Sequence, residues 1–330
     1  MKTGVVLINL GTPASPTAGA IRAYLSEFLS DPRVVEIPSA LWKVILNGAV
    51  LPLRPARLAP KYKQIWMEEG SPLLVYGKRL ARGVQEQFDR DQVQATVVLA
   101  MRYGEPSMQQ AFDQLREGGC ERILIVPLYP QFASSTTATI FERTLQLHRQ
   151  VRDMPEFRFV KRFHHLPGYL DTLAGNVRAY WQEHGKPQQL LLSFHGLPQR
   201  SVDQGDSYLS DCMKTAEALQ TRLAAEGVPI DIAFQSRFGR AQWLGPSTQS
   251  VLQAYPGDNV RHVDVLCPGF VADCLETLEE ISIEGARAFS QAGGEQFRYI
   301  PCLNDDPAWI SAMAGLIRQH IAGWPEPNAA

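Results

Sequence analysis

One histidine and a stripe of acids carry the chemistry available to this sequence. His195 closes the apolar run LLLSF (190–194), and Gly196 and Pro198 follow, so the imidazole stands where a strand gives way to a turn. A side chain that titrates near working pH there is a candidate base or metal ligand. Alternatively it only caps the strand end through hydrogen bonds. In DCLETLEEISIEG (273–285), an α-helix turning about 100° per residue puts Glu276, Glu280 and Glu284 on one face, with Asp273 beside them. Leu275, Leu278 and Phe289 fall on another face, free to pack. Like charges four residues apart repel by about 0.2–0.5 kcal/mol. Such a stripe is therefore paired, used, or solvated. Hard oxygens in a row suit a divalent cation, and a solvated acidic helix face fits equally well.

Three further segments offer binding groups. In MRYGEP (101–106), Arg102 can pair with a carboxylate and Tyr103 can stack on a flat ring. QSRFGRAQWLGPST (235–248) sets Trp243 among Arg237 and Arg240, as an aromatic wall or as core. LYPQFASSTTATI (128–140) carries hydroxyls that could cap a helix or meet an anion. His164 and His165 would point to opposite faces of a strand, so they are expected to be surface or boundary residues rather than one metal site.

These segments need a scaffold. The apolar runs at 4–10, 95–101, 122–130, 190–194, 231–236 and 263–270 each end in turn residues, with helical patterns between them. Strands covered on both faces and joined by helices make parallel sheets, and in such sheets ligands sit beyond the carboxyl ends of the strands. An internal echo, LGTP against HGLP and LYPQF against LCPGF, points to two similar lobes. The expected fold is therefore α/β, with two small doubly wound parallel sheets flanked by helices and an active-site cleft between them. The expected domains are 1–170 and 171–330, with the last helix a candidate to pack back on the first lobe.

The chain has 330 residues, 45% hydrophobic and 20% charged, with a net charge of −2. No basic field recruits nucleic acid. Five cysteines without a CxxC pair argue against a disulfide framework or structural zinc. With no export signal or apolar span of membrane length, a cytoplasmic setting is expected. The segment 40–66, rich in Leu, Val and Ile with trailing Arg and Lys, fits weak peripheral contact with an anionic bilayer or the lip of a pocket. It fits an ordinary core helix as well.

Taken in order, the motifs resemble those of the ferrochelatases. LLLSFHGLPQRSVDQGDSY is similar to that family's signature at Ser193, His195, Gly196, Leu197, Pro198, Asp203, Gly205, Asp206 and Tyr208. CPGFVADCLETLEE resembles a second signature whose glutamate corresponds to Glu276. VVLINLGTP, GSPL (70–73), MRYGEP, YPQFASSTT, QSRFGRAQWLGP and PCLNDDP resemble family segments in the same order, over essentially the whole chain.

The resemblance implies an enzyme that inserts Fe2+ into protoporphyrin IX and releases two protons. It implies His195 and Glu276 as the pair handling iron and pyrrole protons, with Glu280 and Glu284 continuing a carboxylate path. Leu10, Tyr103, Trp243 and Phe270 would wall the porphyrin pocket, and Ser71 and Arg102 would lie near its propionates. Iron is a substrate, and no tightly bound cofactor is expected. Some members hold a 2Fe–2S cluster through C-terminal cysteines, but here no cysteine follows Cys302. Cys274 stands where some relatives have histidine. Whether His195 accepts protons or ligates iron stays open, and so does coproporphyrin as the ring. A monomer is expected. A nicotinamide dehydrogenase would need GxGxxG after the first strand, where this chain has GTPASPTAG. A non-catalytic tetrapyrrole carrier remains a rival that turnover would exclude.

Overall fold

The computed structural model describes residues 2–237, 239 and 241–324; Phe238 and Arg240 of the 235–248 segment lie outside the described residues. Of the described residues, 2–162 and 305–324 form one compact unit, and those within Phe163–Asn304 form another.

The first unit is built on β1 (Lys2–Gly11), β2 (Ala95–Tyr103), β3 (Cys120–Pro127) and β4 (Glu156–Phe159), all parallel, in the order β2-β1-β3-β4. β1 is central, and Val5, Val6, Leu7 and Ile8 are fully buried on alternating faces. Val6, Ile8, Val98 and Ile125 pack on Phe112 and Leu115 of helix Met108–Glu117. The strand ends where Gly11 meets β2. Its φ is +117°, and a Cβ there would lie 1.7 Å from the Tyr103 carbonyl oxygen, so only glycine fits.

The second unit repeats the plan with β5 (Gln189–His195), β6 (Ile230–Gln235), β7 (His262–Leu266) and β8 (Gln296–Ile300) in the parallel order β6-β5-β7-β8. Each unit is thus a small doubly wound sheet. Six of the eight strands coincide with the apolar runs of the sequence. The edge strands β4 (EFRF) and β8 (QFRYI) do not, because each is short and interrupted by an arginine.

Those arginines do matching work. Arg158 of β4 donates to the carbonyls of His320 and Ala322 at 2.7 and 2.9 Å, at the end of helix Pro307–Ile321. Arg298 of β8 donates to the carbonyls of His184 and Gly185 at the end of helix Pro167–His184, the latter at 2.7 Å. A cation at a helix carboxyl end also complements the helix dipole. Helix Pro167–His184 follows β4 in the chain yet belongs to the second unit, and helix Pro307–Ile321 follows β8 yet packs on helix Pro72–Arg90 of the first. The expected boundary at 170/171 falls inside helix Pro167–His184; the units part at 162/163 and the chain returns at Asp305. His164 and His165 stand at this boundary, in a turn rather than on a strand; His164 is buried, with Nδ1 3.7 Å from the buried Asp211 carboxylate, and His165 is exposed.

Candidate active site

The order β6-β5-β7-β8 reverses direction between β5 and β7, so the carboxyl ends of these strands flank the topological switch point of the second sheet. His195 ends β5. Its Nδ1 lies 2.6 Å from the Gly196 carbonyl oxygen. A carbonyl can only accept, so Nδ1 carries the proton and Nε2 keeps the free lone pair. The His195 carbonyl accepts the Tyr208 hydroxyl at 2.9 Å, and burial pushes that phenol well above its ordinary range, so it stays a neutral donor. The turn is tight: the Gly196 N–H donates to the Gln235 carbonyl at 2.7 Å, and a Cβ on Gly196 would meet that oxygen at 2.5 Å and Trp243 Cε3 at 3.3 Å. Trp243 therefore lies against the His195–Gly196 turn, and it bridges Pro198. The half-buried Phe270 ring, beyond β7, is centred 6.2 Å from the imidazole. These two aromatics, far apart in sequence, both border His195.

The acidic stripe stands on a π-helix, Leu275–Gly285, rather than the α-helix expected. Its i→i+5 ladder makes a wider turn, a geometry that recurs at functional sites. The helix buries Thr277, Ile281 and Gly285 four residues apart, with Ile281 in the core beside Val265 and Cys267. Glu276, Glu280 and Glu284 precede these positions by one residue, while Leu275 and Leu278, expected to pack, are only half-buried. Glu276 is half-buried and hydrogen-bonds the Cys274 thiol. Burial pushes that thiol well up, with the Glu276 charge adding to the effect, so Cys274 stays neutral.

Glu280 is gripped by Ser236. The Ser236 N–H donates to Oε1 at 2.6 Å and its hydroxyl donates to Oε2. Ser236 holds φ +61°, an uncommon backbone for a residue with a side chain, and in this conformation both donors reach one carboxylate. Burial nevertheless raises the Glu280 carboxyl above its ordinary value, against the Ser236 hydroxyl, the charge His195 carries when protonated and the Ser236 amide; the Glu276 charge adds to the rise. Glu284 is paired with Arg287 at 2.8 Å at the exposed end of the stripe. Asp273 is a structural anchor: it accepts from Tyr299 Oη at 2.6 Å, Asn304 Nδ2 at 2.7 Å and Thr277 Oγ1 at 3.0 Å. Sequence reasoning passed over the buried Glu279 and the role of Ser236. A Gln-Ser pair leaving a strand was the one signal for the latter. Among the described residues, no three His, Cys, Asp or Glu side chains converge as a ready-made metal cage.

In the first unit the expected porphyrin contacts have other partners. Arg102 donates to Asp31 at 2.5 Å and to Thr139 at 2.8 Å, and its guanidinium lies 4.4 Å from the Tyr103 ring centroid. Tyr103 is 1% exposed, packs on Phe28, and donates its hydroxyl to Asp31 at 2.8 Å. Burial would raise the Asp31 carboxyl. The hydrogen bonds from Thr139, the Arg33 amide and Tyr103, together with the Arg102 charge, outweigh it and hold the group below its usual range. An open pocket of about 330 Å³ over this cluster is lined by Asp31, Arg102, Glu142 and Arg143, and is polar rather than the apolar wall expected of Tyr103. Ser71 is 2% exposed, and its hydroxyl caps helix Pro72–Arg90 at the Leu74 N–H, so it is not displayed for a propionate. Leu10 is half-buried near the end of β1.

The fold, two small doubly wound parallel sheets, is similar to that of solved chelatases. SirB from Bacillus subtilis, solved with Fe3+, matches it with a TM-score of 0.57 at 13% identity, over 98% of this chain and 96% of its own. At that identity the likeness concerns the fold alone. The chain belongs to the ferrochelatase family, whose profile matches residues 2–321. The ferrochelatase of Bordetella pertussis is 55% identical over 327 residues, covering 99% of this chain and 90% of that protein. That of an Azoarcus species is 50% identical over 324 residues, covering 98% and 89%. The protein is accordingly a lyase of heme synthesis that inserts iron into a porphyrin.

Proposed function

We propose that the substrate ring is protoporphyrin IX and that His195 and Glu276 serve the exchange of Fe2+ for two pyrrole protons. The observation that carries this reading is the Nδ1–H bond to the Gly196 carbonyl. It leaves Nε2 basic at a strand end bordered by Phe270 and Trp243. A flat macrocycle does not aim its lone pairs at an incoming ion. Binding energy from the ring substituents has to bend it and tilt the pyrroles to one face. His195 Nε2 and the Glu276 carboxylate are bases able to take protons from that face. Both also ligate Fe2+, although one lone pair on Nε2 cannot do both at once. Glu280 and Glu284 continue the carboxylate path along the π-helix. An open set of donors suits an ion that must move on, since holding it too tightly in the ground state would raise the barrier to its transfer.

The enzyme works on this reading without a tightly bound cofactor, and the five cysteines are buried thiols. It acts as a cytoplasmic monomer with weak contact to anionic lipid and none to nucleic acid. The membrane contact is supported by Leu41 and Val44, 57% and 71% exposed on helix Ser39–Ile45 beside Lys43, and by Leu53 on the following helix with Arg54 and Arg57. No described helix is long and apolar enough to cross a membrane. The deciding test is anaerobic absorbance of purified protein with protoporphyrin IX and Fe2+, beside His195→Ala. Turnover by the parent alone, with porphyrin binding kept in the variant, is expected. Substantial turnover by His195→Ala would remove the histidine from this role. Binding without metallation by the parent would redirect the substrate to coproporphyrin or make the protein a carrier.

A further inference from the structure

Gln235, the last residue of β6, joins parts of the second unit that are distant in sequence. It is 3% exposed and stands opposite His195 in the β5–β6 register. Its main-chain carbonyl receives the Gly196 N–H at 2.7 Å, so it fixes the turn that carries the imidazole. Its side chain points to the π-helix. Nε2 donates to the main-chain carbonyl of Glu276 at 2.8 Å and lies 3.5 Å from Glu280 Oε2. Oε1 accepts the Ser193 hydroxyl at 2.8 Å and has the Cys267 sulfur at 3.6 Å. Only one amide orientation is workable: turned over, Oε1 would face a carbonyl and a carboxylate, both acceptors. A buried amide left without these partners would also carry a desolvation cost, which further holds the arrangement in place.

We propose that Gln235 is a positioning residue for metal insertion. Its backbone holds the His195 turn and its side-chain amide holds the first turn of the π-helix, so one residue sets where His195 and Glu276 stand relative to each other. This rests on the assignment of His195 and Glu276 as the reacting pair. Gln235 need not touch the substrate.

Two variants separate its parts. Gln235→Met keeps the length and removes the amide. Gln235→Glu keeps the oxygen that receives Ser193 and loses both donors to the π-helix. Purified variants whose circular dichroism matches the parent are assayed anaerobically with protoporphyrin IX and Fe2+, and porphyrin affinity is followed by fluorescence quenching. A displacement on the order of 1 Å at a reacting centre costs about 10²-fold in rate. The expected result is a kcat lower by roughly that factor in both variants, with porphyrin KM and Kd within about twofold. Ser193→Ala, which leaves the Glu276 contact, is expected to lose less than Gln235→Glu. The proposal is overturned by a folded variant that keeps kcat, by a loss confined to KM, or by both variants failing to fold, which would make Gln235 purely structural. His195→Ala and Glu276→Gln are run alongside. If they retain turnover, the assignment of the pair fails; if they lose it while the Gln235 variants do not, only the positioning role fails.

Discussion

Replacing Arg298 with alanine strips the partner from a carboxylate that is already under strain from burial. Asp264 sits on β7 with its side chain 1% exposed, and burial raises its carboxyl even though Arg298 and the Trp181 indole N–H act to lower it. Desolvation thus outweighs the ion pair in the intact protein, and removing one partner of such a pair leaves an uncompensated buried charge. Arg298 meets both carboxylate oxygens, at 2.7 and 3.0 Å. The cost of losing it is about 3–5 kcal/mol. At about 2–4 °C per kcal/mol for a protein of this size class, Tm falls by roughly 6–20 °C. The sign with pH follows from the raised carboxyl. Its penalty is present above the folded-state pKa, shrinks as pH falls through it, and is gone below the unfolded value of about 3.9. The deficit of Arg298→Ala is therefore larger near neutral pH than in mild acid. Melting curves of Arg298→Ala, Asp264→Asn and the double variant at both pH values measure it, and the double variant should recover part of the loss. A loss below about 1 kcal/mol, the range of an exposed pair, or no recovery in the double variant, would refute the account.

Three substitutions probe the candidate site. Glu276→Gln should cut turnover strongly and more than Glu280→Gln; the reverse order in steady-state assays would reorder the stripe. Because burial raises the Glu280 carboxyl, Glu280→Gln should also leave the protein as stable as the parent or more so near neutral pH, by thermal melt. Gly196→Ala forces a methyl to 2.5 Å from the Gln235 carbonyl, so the turn must shift. A cost of about 1–3 kcal/mol is expected from such overpacking, together with reduced kcat, and an unchanged kcat would show that the turn tolerates displacement.

Most strands were legible as apolar runs, most plainly where burial on both faces demands a continuous one, as in VVLI of β1. β4 and β8 were not, since an edge strand can carry an arginine that serves a helix end. The acidic stripe was legible as a spacing, but the same i, i+4 spacing suits an α-helix, and the i→i+5 ladder that makes the turn wider leaves no mark in it. His195 was legible from its place after LLLSF. Gln235 was not, because a glutamine at a strand end says nothing about which acceptors will arrive beside it. Arg102 and Tyr103 were legible as residues leaving a strand end, but Asp31, the Arg102 partner 71 residues away, was not.

The exchange of terminal helices between the two units has a consequence during synthesis. The sheet of the first unit is complete once β4 has emerged, but helix Pro307–Ile321, with the buried Trp309, Met313 and Ile317, comes only at the end of the chain. Until then an apolar face stays bare, the condition that invites aggregation of nascent chains. The second unit suffers no such wait, because helix Pro167–His184 precedes all of its strands. The half made first is therefore the half finished last, and a chain truncated at residue 304 would have a complete second unit and an incomplete first one.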